Sequence, residues 1–505
     1  MVENGQFTSD RWPQPLGLMA LIEVLDLKVS LPGVRSYLVR GARATKREAE
    51  FILEQYPPSY APAGLIGHLR FALRYEPIDL GVWLAIFQKL GLKPLEKWIR
   101  AEPTGIFARR AWYLYELLLD ERLDVPDVAA TGYVDLLNPA LHFTGARRLV
   151  SRQRIYDNLL GGRDYCPLIR RTETLAQFLQ AGLQKEAEKL MAATDPALLL
   201  RAAHYLYTKE TKSSFAIEGE QISANRSERF VAALQRAAAF ESGDHEAFIR
   251  LQNKIVEARY AETNWRTAQN FVGETMRDYT EQVHFVCPKP EDVKALMAGW
   301  QALARRLHDD GVDAVCAAAA AAFGFVFIHP FEDGNGRIHR FLVHHVLARA
   351  GYTPAGMLFP VSAAMLRDSL GYERALRSFS GPRLPLLDYW FDAQGYLKVR
   401  GETAHLYRYW DATECAEYLY RCVADTLKVD IKEELRFLQE FDAALAAVSR
   451  VVDMPPRRAT LLVKLLRQNE GRLSQTKRGQ FLELSDEEVA ALENAVAASG
   501  PPFRA

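Results

Sequence analysis

The stretch that decides the fold of this 505-residue chain lies between two helical segments and reads, from residue 329 to residue 340, His-Pro-Phe-Glu-Asp-Gly-Asn-Gly-Arg-Ile-His-Arg. The segment before it, from Asp313 to about Phe327, is apolar on every side, which predicts a helix buried at the centre of the protein. The segment that begins near Gly336 is amphipathic and predicts a second helix. The quoted stretch is therefore expected to be a loop that a buried helix holds rigidly and that leads into a helix N-terminus.

This loop combines residue types that hold phosphate groups. Gly334 and Gly336 let the backbone direct its amide groups toward one point, and the dipole of the following helix attracts anions there. Arg337 and Arg340 are three positions apart, so both guanidinium groups can bind phosphate oxygens bidentately beside that point. Asn335 adds a neutral amide donor. The sequence therefore predicts a site for a phosphate-bearing ligand.

Two further side chains complete a site for phosphoryl-type transfer. Asp333 supplies a hard oxygen ligand, so we expect an Mg²⁺ ion that bridges phosphates. The imidazole of His329, with an ordinary pKa of about 6.5, can take a proton from an attacking hydroxyl at neutral pH. Such reactions depend on alignment and on stabilising charge on the transferring and leaving oxygens. The alternative, a surface turn with solvated charges, leaves unexplained why all these roles are filled together.

The pattern His-Pro-Phe-x-Asp-Gly-Asn-Gly-Arg-x-x-Arg resembles the signature of the Fic family at every specified position, and residues 329–340 are called the signature loop below. The resemblance implies a protein adenylyltransferase that moves AMP from ATP to a Ser, Thr or Tyr hydroxyl of a target protein or of itself. It implies that His329 is the general base, that Asp333 binds Mg²⁺ and that Phe331 anchors the loop. The nucleotide-binding residues would be Gly334, Asn335, Gly336, Arg337, Arg340 and, in a Tyr-x-x-Ala-Leu match, Tyr372.

A second resemblance lies upstream, in Ser214-Phe-Ala-Ile-Glu218-Gly219, which is similar to the inhibitory motif of the same family. It implies that Glu218 pairs with Arg340 and occupies the space that the γ-phosphate of ATP needs. An Asp-Pro pair at positions 195 and 196 predicts a helix start, and Gly219 predicts its end, so Ser214 and Glu218 lie one turn apart on one face. The alternative is an ordinary helix that ends at a glycine.

A third resemblance, in residues 265–273, is to the flap that docks the target by strand-like pairing. Thr267, Phe271 and Val272 favour extended backbone, and Gly273 favours a turn. We predict that the first three contact the target. The alternative is a plain hairpin edge.

Composition narrows the class of protein. The 63 basic and 63 acidic residues cancel, which gives no indication of a nucleic-acid or membrane partner, and the longest apolar run is too short to span a bilayer. Five scattered cysteines without a Cys-x-x-Cys pair argue against disulfides and zinc and favour a cytoplasmic location. His339, His344 and His345 lack the pairing with glutamate that zinc helices use, so we expect core or solvated histidines.

The predicted fold class is mostly α: a Fic-like helical core with a short β-hairpin flap, flanked by helical N- and C-terminal domains. The predicted domains are a helical domain over residues 1–170, a catalytic domain over residues 171–385 with an inhibitory helix near residues 196–219, and a helical region over residues 386–505. Basic residues from residue 455 onward are also compatible with a helix-turn-helix.

Alternatives stay open at this point. The same site could transfer another phosphate-containing group, or remove AMP from a modified target with Glu218 positioning water. From another class, the chain could be an ATP-sensing regulator that binds DNA through its terminal segment, although acidic residues dilute the basic patch there. The sequence leaves open whether the protein forms a homodimer.

Overall fold

The computed structural model describes residues 13–129, 132–277, 280–354 and 356–499. The outermost parts of the predicted N- and C-terminal domains, residues 1–12 and 500–505, lie outside the described residues. Helices predominate among the described residues and strands are short, which confirms the predicted mostly α class.

The N-terminal region mixes helices with two small sheets. Its helices are α1 (Leu18–Val24), α2 (Gly64–Tyr75), α3 (Leu80–Leu90), α4 (Leu92–Ala101) and α5 (Ile106–Leu119). Its strands are β1 (Gln14–Pro15), β2 (Val34–Leu38), β3 (Ala44–Arg47), β4 (Ile52–Tyr56), β5 (Val134–Asp135), β6 (Arg148–Val150), β7 (Ile155–Asp157) and β8 (Cys166–Leu168). The sheet orders are β1-β2-β4-β3, with β2 and β4 parallel, and β5-β7-β6.

The prediction of helices alone for residues 1–170 is therefore incomplete. The strands are two to five residues long, and one of them, β3, carries exposed Thr45, Lys46 and Arg47. Strands this short do not produce the repeated apolar and polar alternation by which a strand is recognised in a sequence.

The central region is built around the predicted buried helix. Its helices are α6 (Glu173–Ala181), α7 (Leu183–Ala192), α8 (Pro196–Ile217), α9 (Ala224–Gln235), α10 (His245–Ile255), α11 (Pro290–Asp309), α12 (Ala314–Ile328), α13 (Asn335–Arg349), α14 (Val361–Arg367) and α15 (Ser369–Ser380). One hairpin, β9 (Phe271–Thr275) with β10 (Glu281–Val286), precedes α11. All of α12 is buried except Ala314 and Val326, so the signature loop between α12 and α13 starts from a rigid support.

The last region begins with strands and continues as long helices. Its elements are β11 (Asp388–Phe391), β12 (Leu397–Arg400), α16 (His405–Arg408), β13 (Tyr409–Asp411), α17 (Thr413–Thr426), a π-helical turn (Leu427–Ile431), α18 (Lys432–Val451), α19 (Pro456–Gln468), α20 (Gln475–Arg478) and α21 (Asp486–Ala498). β13 pairs in parallel with β8 of the N-terminal region.

The central core extends beyond the predicted boundary at residue 385. Leu419, Val423 and Leu427 are fully buried in the same cluster as the apolar side chains of α12. A separate small core around Leu462, Leu466 and other side chains holds α19 and α21 together. Packing therefore joins α17 and the first half of α18, through Leu435 and Leu438, to the central region. The second half of α18 packs with α19 and α21, and these segments together with α20 form the C-terminal unit.

Candidate active site

His329 lies at the C-terminal end of α12, where the chain enters the signature loop. Its φ of 53° is in the left-handed region, which non-glycine residues adopt rarely and mostly at functional sites. Its Nδ1 is 3.2 Å from the carbonyl oxygen of Val326, so Nδ1 donates a proton there and Nε2 keeps its lone pair. Burial, assisted by the charge of Arg266, lowers the pKa of His329 to about 4. The ring is therefore neutral at physiological pH and has a free nitrogen that can accept a proton.

Arg266 fixes this loop to the segment before the hairpin. Its Nε donates to the carbonyl oxygen of His329 at 2.7 Å, and its backbone N–H donates to that of Pro330 at 2.8 Å. Its other guanidinium nitrogens donate to the carbonyl oxygens of Ala268 and Pro288. Sequence reasoning missed this residue, because its partners are backbone oxygens, which leave no trace in the residue pattern.

Asn335 closes the signature loop on itself. Its Oδ1 accepts from the backbone N–H of Phe331 at 3.0 Å, and its Nδ2 donates to the carbonyl oxygen of the same residue at 2.7 Å. The side chain is buried, so its amide holds the loop instead of pointing to an open site. The structure thus differs from the expectation that this amide supplies a donor to a phosphate.

Gly334 and Gly336 shape the N-terminus of α13. Gly334 has a φ of 92°, and a Cβ there would lie 3.1 Å from Cγ1 of Val256. A Cβ on Gly336 would clash with Oε1 of Glu218, so glycine lets the carboxylate approach the helix end as closely as it does here. An anion therefore already lies at the predicted anion-binding position, and it is the side chain of Glu218.

Arg340 joins this carboxylate to helix α8. The fully buried guanidinium donates from Nη2 to Oε1 of Glu218 at 2.7 Å and to the carbonyl oxygen of Ser214 at 2.7 Å, and from Nε to Oγ of Ser214 at 2.9 Å. Burial raises the pKa of Glu218, but the attraction of Arg340 outweighs it and holds that pKa below its usual range. Tyr372 faces the same guanidinium, and burial raises the pKa of its hydroxyl to about 12. The structure thus brings Ser214, Glu218, Tyr372 and Arg340 together.

Arg337 is held by two other carboxylates, those of Glu220 and Asp333. Its Nη1 is 2.9 Å from Oε1 of Glu220, its Nη2 is 2.6 Å from Oδ1 of Asp333, and its guanidinium lies over the ring of Phe215. Glu220 also accepts from Arg226 at 2.9 Å. Sequence reasoning missed Glu220. Its spacing of two residues from Glu218, just after a glycine helix stop, is the signal that could have indicated it.

The end of α8 explains why both glutamates reach the signature loop. Gly219 has a φ of 69°, its N–H donates to the carbonyl oxygen of Ala216, and the N–H of Glu220 donates to that of Phe215. These two bonds form a Schellman motif, which requires a left-handed residue at the position of Gly219. The chain turns sharply there, so Glu218 before the turn and Glu220 after it both contact the loop.

Asp333 is the residue whose chemistry fits Mg²⁺. Its side chain is 45% exposed at the edge of the signature loop, and one of its oxygens pairs with Arg337 and accepts from the N–H of Gly334. Mg²⁺ keeps several waters and binds proteins through one or two carboxylates together with substrate phosphates, so a single exposed carboxylate beside a phosphate site suits it. Within the described ranges, no three His, Cys, Asp or Glu side chains converge as a metal cage.

The predicted flap is a two-stranded antiparallel hairpin whose β9 strand begins at Phe271. Thr267 is exposed but precedes the strand, because Arg266 holds this part of the chain against the signature loop. Phe271 packs against Phe391 of β11 with ring centroids 5.4 Å apart, and Val272 is 44% exposed. Residues 278 and 279 of the turn lie outside the described residues. Of the three predicted docking residues, Phe271 and Val272 lie in the hairpin and Thr267 does not.

The three histidines of α13 are core residues. His339 packs against Phe323 at 4.6 Å, Nε2 of His344 lies 2.7 Å from Oε1 of Glu210, and Nδ1 of His345 lies 2.8 Å from the carbonyl oxygen of Ala237. All three are almost completely buried. They join α13 to its neighbouring helices.

The C-terminal unit contains short helices but places acidic residues where a recognition helix would start. Helix α21 has Asp486, Glu487 and Glu488 in its first turn, and Ser485 with Glu488 forms a capping box. Arg478 pairs with Asp486 at 3.0 Å. Carboxylates at the N-terminal end of a helix repel DNA phosphates. The geometry does not favour the helix-turn-helix interpretation.

Comparison with known proteins adds evidence of family. Residues 242–347 match the model of the Fic/DOC family, a range that contains the hairpin, α11, α12 and the signature loop. The chain contains a Fic domain. Over 82 residues it is 39% identical to the protein adenylyltransferase Fic of Drosophila virilis and 38% identical to that of Drosophila melanogaster. Each match covers 16% of this chain and 17% of the relative, so the similarity concerns the Fic domain and not the rest of either protein.

Two solved structures show a weaker overall likeness to the chain around the Fic domain. A Fic family protein from Desulfovibrio desulfuricans has a TM-score of 0.39 and 17% identity over 64% of this chain and 87% of that chain. A Fic domain containing signaling protein from Bacteroides thetaiotaomicron has a TM-score of 0.36 and 18% identity over 52% of this chain and 97% of that chain. These scores are too low to transfer any feature from either protein. No described helix combines the length and the apolarity needed to cross a bilayer.

Proposed function

We propose that this protein is a self-inhibited protein adenylyltransferase, which transfers AMP from ATP to a Ser, Thr or Tyr hydroxyl of a target protein. The observation that carries the proposal is the signature loop itself. It presents a neutral His329 with a free Nε2 beside a helix N-terminus that has Arg337 and Arg340 on its first turns. The relatives named protein adenylyltransferase match the same part of the chain.

The proposed step conserves every atom of the two substrates. The oxygen of the target hydroxyl attacks the α-phosphorus while the bond to the oxygen that links it to the β-phosphorus breaks, so pyrophosphate leaves and AMP stays on the target. Nε2 of His329 takes the hydroxyl proton. The amides at the start of α13 and the guanidinium of Arg337 stabilise the charge that grows on the leaving phosphates.

Asp333 would hold Mg²⁺ in the nucleotide complex. When bound, the ion neutralises phosphate charge and favours departure of pyrophosphate. The residues of this chain do the rest: the signature loop binds and orients the nucleotide, Arg266 and Asn335 keep the loop in shape, and His329 moves the proton.

Self-inhibition follows from the contact between Glu218 and Arg340. The carboxylate lies against Gly336, where a phosphate of a productively bound ATP would approach, and it engages the guanidinium that would bind that phosphate. ATP would have to displace an anion from an anion-binding site. Release of this contact would therefore activate the enzyme.

The exposed edge of β9 is the proposed docking edge for the target. It belongs to a two-stranded sheet, so its outer backbone groups can pair with an added strand. Val272 is exposed on this strand. A target segment paired there would lie next to the signature loop, since Asn270 just before the strand donates to the carbonyl oxygen of Glu332.

The decisive experiment follows label from ATP into protein. The protein is incubated with Mg²⁺ and ATP labelled on either the α- or the γ-phosphate, alone and with a cell lysate. Incorporation from α-labelled but not γ-labelled ATP, with the mass gain of one adenylyl group, supports adenylyl transfer. Incorporation from γ-labelled ATP, or a different mass gain, would show that the site transfers a phosphate-containing group other than AMP. Removal of AMP, with Glu218 positioning water, is tested separately. A target that already carries labelled AMP is incubated with the protein, and loss of the label would support this alternative.

A further inference from the structure

A cavity of about 560 Å³ lies between α11, α12 and α13, away from the signature loop. It is lined by the first half of α12 and the second half of α13, whereas His329 follows the last residue of α12 and Asn335 is the first residue of α13. The loop at residues 241–243 forms part of its wall. The volume is in the range of small-molecule sites, which is about 300–1,000 Å³.

The inner wall of this cavity is apolar. Trp300, Ala317, Leu342 and Val346 line it, and the one ring nitrogen of Trp300 is already bonded to the carbonyl oxygen of Ala321 at 2.7 Å. Trp300 and Leu342 are fully buried behind this wall, so its accessible apolar surface comes from the partly exposed Ala304, Val312, Ala314 and Val346. Such a wall binds an apolar molecular body.

The rim of the cavity carries two arginines without partners among the described residues. Arg305, His308 and Arg349 are exposed and line the opening, and neither arginine has an ion pair or a hydrogen-bonded acceptor for its guanidinium among the described residues. Most other arginines in the central region are paired with carboxylates or backbone oxygens, as Arg306 is with Asp157. Two unpaired guanidinium groups at one opening are the feature that needs an explanation.

The remaining polar groups of the lining do not pair with these arginines. Asp313 lines the cavity, and it accepts from the N–H of Cys316 and from the hydroxyl of Tyr420. Burial lowers the pKa of His345 to about 4, so it is neutral. Glu241 is the other carboxylate of the lining, and among the described residues it forms no ion pair with Arg305 or Arg349. Both guanidinium groups are therefore available to an anionic group of a ligand.

We propose that this cavity binds a small amphipathic anion, with its apolar body against the inner wall and its carboxylate or phosphate between Arg305 and Arg349. Guanidinium groups bind both kinds of anion bidentately, and the apolar wall selects against inorganic ions, which have no body to bury. The site is separate from the proposed nucleotide site, so the proposal does not depend on the activity proposed above.

Calorimetric titration of the full-length protein with four ligands that share one alkyl chain tests this. Decanoate and decyl phosphate carry the two candidate anionic groups, 1-decanol carries none and decyltrimethylammonium carries the opposite charge. We expect one anion to bind with one-to-one stoichiometry and at least about tenfold more tightly than decanol, because charge-assisted bonds contribute about 1.5–3 kcal/mol. The better of the two anions identifies the head group.

Two kinds of variant assign the binding to this cavity. Arg305→Ala with Arg349→Ala should remove the advantage of the anion over decanol, whereas Arg457→Ala, an exposed arginine of the C-terminal unit, should not. Ala314→Leu, which adds bulk to the partly exposed apolar wall, should weaken every ligand. Absence of saturable binding, equal binding of all four ligands, or an anion preference that persists in the double arginine variant would each overturn the proposal.

Discussion

The carboxylate of Glu218 and the guanidinium of Arg340 form an ion pair of 2.7 Å directly over Gly336, the second residue of helix α13. The arginine side chain is fully buried, while that of the glutamate is 35% exposed. The guanidinium donates two further hydrogen bonds to Ser214, which hold it in place from the other side. The pair therefore has one fixed member and one that can leave, which is the arrangement that a reversible block of an anion site needs.

Glu218→Gly is expected to increase adenylyl transfer. The change removes the carboxylate from the N-terminus of α13 and frees Arg340, so that ATP can bind with its α-phosphorus in line with the attacking hydroxyl. Adding Arg340→Ala should abolish the gain. Incorporation of label from α-labelled ATP measures both variants.

Glu218→Gln separates, in the same assay, the effect of the negative charge of Glu218 from the effect of the space that its side chain occupies. The amide still lies over Gly336 but has lost the ion pair, so we expect an activity between those of the parent and Glu218→Gly. Equal or lower incorporation by Glu218→Gly, in protein with an unchanged melting temperature, would contradict self-inhibition and leave residues 214–219 as a capped helix end.

His329→Asn is expected to lower transfer about a hundredfold to ten-thousandfold, the usual cost of losing a general base. Asparagine tolerates the left-handed backbone at this position better than alanine does, so it is the better-matched replacement. ATP affinity should stay near that of the parent protein, since the ring acts on the acceptor hydroxyl. Transfer at the parent rate would show that another group is the base.

The ring of His329 is expected to stay neutral well below pH 6. Burial disfavours the charged imidazolium, so the folded-state pKa lies at about 4 and the group gains a proton only as the pH falls through that value. The NMR signal of the His329 ring, assigned by its loss in His329→Asn, should therefore not shift between pH 8 and about pH 5. A midpoint near 6.5, the ordinary value, would mean that the ring is solvated.

The site was largely predictable because its chemistry lies in one contiguous loop. The sequence predicted roles for His329, the two glycines of the loop and Glu218, and the structure places Glu218 against Arg340 and Gly336 at the start of α13. Asn335 was predicted as a phosphate donor, but its amide is consumed in closing the loop. That outcome depends on a backbone contact four residues away, which no side-chain pattern records.

Contacts between distant segments were not predictable. Arg266 bonds four backbone oxygens, and Glu220 reaches Arg337 only because the chain turns at Gly219. The helix bounds of α8 and α12 were predicted closely, since an Asp cap precedes each helix. The N-terminal sheets were missed, because strands of two to five residues are stabilised by pairing with partners remote in sequence.

Asp333→Asn is expected to remove the Mg²⁺ dependence of ATP binding. The amide keeps an oxygen that can accept from the N–H of Gly334, so the loop should keep its shape while the charge that attracts the ion is lost. ATP affinity is measured by calorimetry across an Mg²⁺ series in the Glu218→Gly background, where the site is open. An undiminished Mg²⁺ effect would move the ligand role to Glu332 or outside the signature loop.

The contact between Glu220 and Arg337 is expected to act as a second restraint on the same site. Arg337 is buried and lies between Glu220 at 2.9 Å and Asp333 at 2.6 Å, so its guanidinium is already engaged by two carboxylates before any phosphate arrives. Glu220→Gln weakens one of these contacts. In this variant Glu218 still covers Gly336 and still pairs with Arg340. The single change should therefore raise the rate of transfer only a little.

In the Glu218→Gly background, however, Glu220→Gln should lower the KM for ATP severalfold, because Arg340 is then free and Arg337 keeps an ion pair with Asp333 alone. Glu228→Gln provides the matched control, since Glu228 is an exposed residue of α9 without an ion pair among the described residues. A KM that rises instead would mean that Glu220 orients Arg337 for the nucleotide, and a KM equal to that of the control would mean that the contact has no bearing on ATP binding.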